Sequence, residues 1–140
     1  MSAVIEEPHN AEKINTADRH VAKLEAVSNH VPISGQAYLL TATTIFKRPV
    51  FRDFNAARAA AAAHNMRWVW RDSQLLAWVL MPDQWHGLVA LDQNDDLHQL
   101  MGRFKSATAK SMESRYKFNG WLWGRGFHEQ ALKQDVDLRD

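Results

Sequence analysis

Hydrophobic and polar residues along this chain fall into runs with distinct periods. Residues 38–46 are rich in Thr, Leu and aromatics, the composition of a strand, and Lys47, Arg48 and Pro49 break it. An alanine-rich stretch follows to about residue 64. Alanine is the strongest helix former, and Asp53 or Asn55 is placed to cap this helix. Residues 66–71 alternate Met, Trp and Trp with Arg, Val and Arg, which predicts a half-buried strand. Residues 75–81 are apolar without interruption, as in a central strand. Pro82 and Asp83 then turn the chain, and residues 85–91 return to close a hairpin. Past a polar loop at 92–96, Leu97, Leu100, Met101, Phe104, Ala107 and Met112 recur at helical spacing up to about residue 116, with Asp95 or Asp96 as cap. Asn119 and Gly120 make a turn, residues 121–132 a last strand with its own flanking loop, and Asp135 begins a further helix.

Apart from the short run at 66–71, the order is β-α-β-β-α-β, the signature of an α+β ferredoxin-like fold: one antiparallel sheet with helices on one face. Such a fold hosts many unrelated functions, so chemistry must be argued from particular residues. Residues 35–140 form this domain. Residues 1–34 read as an appendage, partly helical or disordered, in which Thr16 caps a short helix to Ser28 and Pro32 and Gly35 mark the boundary.

Composition narrows the classes. A chain of 140 residues, 46% hydrophobic and 24% charged, is one ordinary globular domain. Without cysteine there is no disulfide, no thiolate zinc site and no cysteine nucleophile. The longest purely apolar strip, residues 75–81, is far short of the roughly 20 residues of a membrane-spanning helix. The first ten residues lack the basic-then-apolar layout of a signal peptide, so the protein reads as cytoplasmic. Charge is uneven. Residues 1–30 hold five acids against three bases, whereas residues 97–133 hold seven bases against two acids. That contrast suggests a basic face toward an anionic partner, set against the plainer reading of a solvated helix face.

The segment MPDQWHGLV (81–89) is the most informative. Side chains two apart on a strand share a face, so Gln84 and His86 project together just past the turn. With a third ligand from elsewhere they would hold a divalent cation such as Mg²⁺ or Mn²⁺. A histidine merely hydrogen-bonded at a strand end fits the same residues.

This segment resembles the one containing the histidine-hydrophobic-histidine (HUH) motif of insertion-sequence tyrosine transposases, above all the REP-associated tyrosine transposases. YLLTAT (38–43) with RPVF (48–51) is similar to that family's first strand and following loop. LMGRFKS (100–106) is similar to its basic second helix, and WGRGFHEQAL (123–132) followed by DLRD (137–140) to its last strand and the start of its catalytic helix. The resemblance implies binding of single-stranded or hairpin DNA, and metal-dependent nicking and joining through a 5′-phosphotyrosine. The metal acts as Lewis acid and the tyrosine as covalent nucleophile.

The chain departs from the family pattern at two points. Gln84 stands where the first histidine of the motif falls, and Gln130 where a histidine is frequent. The nucleophilic tyrosine and third metal ligand are expected shortly after Asp140, leaving Tyr38 and Tyr116 as the tyrosines present. The expected site therefore comprises His86 and Gln84 for metal, with no catalytic residue unless Tyr116 substitutes. Arg103, Lys105, Lys110 and Arg125 are candidates for phosphates, and Trp123 for stacking on bases. The leading expectation is a DNA-binding transposase-like domain with its nicking activity lost. The alternatives are a still-active nuclease using Tyr116 or water, and a non-catalytic relic or protein-interaction module. A homodimer is one candidate assembly.

Overall fold

A computed structural model of the chain describes residues 36–133 together with two short strands, β1 (Ile5–Glu6) and β2 (Ala11–Glu12), which pair antiparallel. The predicted helix at 16–28, the boundary at Pro32 and Gly35, and the helix expected from Asp135 lie outside the described residues.

The main sheet contains β3 (Gln36–Thr43), β4 (Gln74–Met81), β5 (Gln84–Leu91) and β6 (His128–Leu132) in the spatial order β4-β5-β3-β6, every neighbouring pair antiparallel. Two main helices, α1 (Phe54–Ala62) and α3 (Leu97–Tyr116), pack on one side, with a single-turn helix α2 (Arg67–Trp70) against α3. This is the ferredoxin-like α+β arrangement. Among the described residues no helix is long and apolar enough to cross a membrane.

Each main helix starts where an aspartate satisfies its free backbone N–H groups. The Asp53 carboxylate accepts from Asn55 N (2.8 Å) and Ala56 N (3.2 Å), and that of Asp96 from His98 N (2.7 Å) and Gln99 N (3.1 Å). Lys117, in the left-handed region at φ 61°, closes α3. The small side chains of Ala56, Ala57, Ala59, Ala60 and Ala61 are all buried, so α1 lies close to α3 and Ser111 Oγ donates to Ala59 O.

Three predicted strands come out differently. Residues 66–71 form the turn of α2, not a strand. Six alternating residues do not distinguish a strand from one helical turn, and here the consecutive Val69 and Trp70 are both buried while Trp68 is exposed, as a helical turn requires. The first strand stops at Thr43 because Phe46 and Lys47 turn left-handed (φ 56° and 54°). The last pairs regularly only over His128–Leu132, preceded by a single bridge between Thr44 and Trp123.

Residues facing the helices form the main core, with Leu40, Ala42, Trp78, Leu80, Trp85 and Val89 from the sheet against Leu100, Met101, Phe104 and Met112 from α3. Its centre is an aromatic box around His64. The imidazole stacks on Trp78 at 3.7 Å between centroids and meets Phe104 edge-on at 5.4 Å. Trp85 Nε1 donates to His64 Nε2 at 2.8 Å. With Nε2 accepting, the ring proton sits on Nδ1, which donates to Ala61 O at 3.1 Å. Burial lowers the His64 pKa to about 4. Gly87 makes this possible. It shares the helix-facing side with Trp85, and a Cβ there would fall 2.2 Å from the indole Cη2, so only glycine lets the ring lie across the strand.

Candidate functional site

The turn at Pro82 and Asp83 starts β5 at Gln84, and strand alternation sends Gln84 and His86 to the side away from the helices. Register then decides their neighbours. Gln84 lies opposite Thr43 and Met81; His86 lies opposite Thr41 and Val79; Thr41 in turn lies opposite His128. Thr41 Oγ1 and His86 Nδ1 are hydrogen-bonded at 2.8 Å. Side chains on this helix-free face grade across the sheet. Ala77, Val79, Leu88 and Ala37 are buried; Gln84, His86, Thr41 and Thr43 are half-buried; His128 and Gln130 on β6 are exposed.

The predicted basic residues do not gather around this row. Helix α3 lies behind the sheet, so Arg103, Lys105 and Lys110 do not share the face of His86. Arg103 is committed to the fold: Nε donates to Val69 O at 2.8 Å and the guanidinium pairs with Asp95 at 2.5 Å. Burial pushes the Asp95 pKa up, but hydrogen bonds from Arg103 and from the Asp96 N–H, with the Arg103 charge, more than offset this, and the net shift is downward. Lys105 Nζ donates to Gly124 O (3.0 Å) and Gly126 O (2.6 Å), tying the loop before β6 to α3, and its partial burial lowers its pKa. Lys110 and Arg125 are exposed. Trp123, predicted to stack on bases, is instead a core residue. It is buried, it contacts Phe51 and Phe104 with centroids 5.8 Å away in each case, and its Nε1 donates to Thr108 Oγ1 at 2.7 Å.

Both tyrosines of the sequence belong to the helix side. Tyr38 alternates with Leu40 and Ala42 and packs against the main core. Tyr116 donates to Asp53 Oδ2 at 2.9 Å, which raises the tyrosine pKa and lowers that of Asp53. A phenol so held is further from the phenolate a nucleophile needs, and it stands on the wrong side of the sheet from His86.

The divalent cation implied by the resemblance is tested by the donors present. His86, Gln84, Thr41 and His128 offer two imidazoles, a carboxamide and a hydroxyl, none of them charged as a carboxylate is. Among the described residues no three His, Asp or Glu side chains gather. Mg²⁺ and its like favour oxygen ligands that include carboxylates. This set does not fit such an ion by itself.

Thr41 and His128 are the members of the row that the sequence reading missed. The signal for Thr41 was available, since strand alternation from Leu40 and Ala42 puts it on the other face. That for His128 was not, because only the register of β3 with β6 sets it opposite Thr41.

A family model described as "Transposase IS200 like" matches residues 32–136. Among solved structures, a Deinococcus radiodurans R1 protein assigned as a transposase is similar with a TM-score of 0.60 at 19% identity, over 73% of this chain and 82% of that one. A REP-associated tyrosine transposase bound to a REP hairpin is similar with a TM-score of 0.52 at 18% identity. That match covers 72% of this chain but only 58% of the transposase, so the chain spans little more than half of that protein. At these identities the likeness is one of fold. No curated protein sequence matches the chain.

Proposed function

This chain belongs to the IS200-like transposase family, and from that premise we propose that it binds single-stranded or hairpin DNA on the sheet face bearing Gln84, His86, Thr41 and His128. The observation that carries the reading is the polar row itself. Apolar strands that bury both sides elsewhere in the sheet give way here to half-buried hydrogen-bonding side chains that open toward the β6 edge. That edge adjoins the loop carrying Arg125, a free cation for phosphate, with Lys110 exposed on α3 as a more distant one. The hairpin-bound relative supports DNA as the partner.

We further read these 140 residues as binding without nicking through a phosphotyrosine. Neither tyrosine stands on the proposed face, and Gln84 replaces the first histidine of the family pattern. The test is fluorescence anisotropy of a labelled DNA hairpin at low salt and at rising salt, alongside a nicking assay in Mg²⁺ and Mn²⁺. The expected result is binding that weakens steeply with salt, with no cleavage product. No binding at low salt overturns the first half. A covalent protein–DNA adduct lost on Tyr116→Phe overturns the second.

A further inference from the structure

An antiparallel sheet with helices on one side commonly shows its other side to water. Here half of that other side is closed. Val79 is 1% exposed and Ala77 2%, and Leu88 and Ala37 are fully buried. Strand alternation points all four away from α1 and α3, so the helices are not what covers them. Ala37, Ala77 and Leu88 form, with Leu132, a small apolar cluster separate from the main core. A described element that meets this region is β1, which packs against β4 and pairs with β2. The turn at 50–52 also meets β4, but its Phe51 belongs to the main core on the helix side.

Position and charge give this cover a consequence. Val79 lies opposite His86, and Ala77 opposite Leu88, so the closed half of the face ends at the polar row. Beyond the row, His128 and Gln130 on β6 are exposed. The strand positions that point away from the helices carry no Asp, Glu, Lys or Arg; their polar members are Gln84, His86, Thr41, Thr43, His128 and Gln130. Residues 5–12, which hold both short strands, contain Glu6, Glu7 and Glu12 and neither Lys nor Arg. The hairpin thus brings three carboxylates to an uncharged face, and carboxylates repel a phosphate chain.

Resting on the DNA-binding reading above, we propose that the β1–β2 hairpin is an acidic cover built into the chain, seated on the β4 half of the helix-free face, and that DNA competes with it for that face. With the cover seated, DNA approaches the row from the β6 edge. With it displaced, the face opens from β6 across to β4 and the carboxylates leave.

Thiol labelling reads the cover without DNA. The chain has no cysteine, so Val79→Cys carries a single thiol. Val69→Cys, at a site 1% exposed in the core on the helix side, is the control. Ile5→Pro/Ala11→Pro removes an N–H from each strand of the hairpin and keeps every acid. In that background Val79→Cys is expected to label about tenfold faster or more, with Val69→Cys unchanged. No acceleration at residue 79, or equal acceleration at both sites, overturns the cover.

Anisotropy with a labelled DNA hairpin reads the competition. Glu6→Gln/Glu7→Gln and the proline pair are each expected to tighten binding about 3- to 30-fold at low salt. Asp72→Asn/Glu113→Gln removes as much charge from exposed positions outside the face and is expected to change binding less than about twofold. Equal tightening by the two charge pairs, or none by the proline pair, overturns the competition. If neither wild type nor any variant binds DNA, the functional reading falls and the competition with it, and the labelling rates tell that failure apart from an unseated cover.

Discussion

Two histidines, His64 and His86, lie on opposite sides of one sheet and show how differently the same side chain is used. His64 is sealed beneath β4 and β5, stacked on Trp78 and hydrogen-bonded by the buried Trp85. Its two ring nitrogens are both spent inside the protein, and its tautomer is dictated. His86 sits half-buried on the other face, one residue along from Trp85, and is held through Thr41. The first arrangement removes a proton-binding group from water and uses it as a polar aromatic spacer. The second keeps one within reach of a ligand. The alternation of a single strand, Trp85 inward and His86 outward, separates the two roles.

Breaking the sealed side has the larger expected effect. Trp85→Ala removes an indole that is fully buried, leaves His64 Nε2 without its donor and empties the space beside Phe104, 4.1 Å away between centroids. It is expected to destabilise the fold by about 3–5 kcal/mol, read as a shift in the midpoint of urea denaturation. A loss below about 1 kcal/mol would mean that the box is not the centre of the core.

The next effect is a pH dependence. Burial holds the His64 pKa at about 4, against an ordinary value of 6.5. Below pH 6.5 the unfolded chain takes up a proton that the folded chain refuses, so stability declines as pH falls. The decline continues to about pH 4, where the folded form also protonates. Over that window the single group accounts for about 3 kcal/mol. The measurement is unfolding free energy at several pH values for wild type and His64→Gln. The His64 share is the part of the slope that the substitution abolishes; an unchanged slope would show that other groups carry it.

The contrast between these histidines was half legible in the sequence. Alternation through MPDQWHGLV places Gln84 and His86 together, and the helix caps and the hairpin follow from local pattern. His64, by contrast, ends an alanine helix and carries no local sign of burial. Its box is assembled from Trp70, Trp78, Trp85 and Phe104, which span more than thirty residues of sequence. Gly87 looks like an ordinary strand glycine until the Trp85 ring is seen lying across it. Arg103 and Lys105 read as free cations because periodicity puts them on the polar side of α3. What it cannot show is that Asp95, the Val69 carbonyl and the Gly124–Gly126 backbone wait there to bind them. Local chemistry is visible in a sequence; the partner that neutralises it arrives through tertiary contact.

The smallest effect sharpens the comparison most. Thr41→Val keeps the shape of the side chain on β3 and deletes only the hydroxyl that bonds His86 Nδ1. Because both residues are half-buried, water can replace part of the lost bond, and the expected cost is about 1 kcal/mol or less. Trp85→Phe is the matching deletion on the sealed side. It removes the donor to His64 Nε2 where no water reaches, so its cost should be clearly larger even though most of the ring remains. Urea denaturation of the two variants side by side decides the matter. If Thr41→Val costs as much as Trp85→Phe, the helix-free face is as closed as the core and a poor place for DNA. If it costs little, water reaches the Thr41–His86 pair and the helix-free face is open enough to admit a ligand.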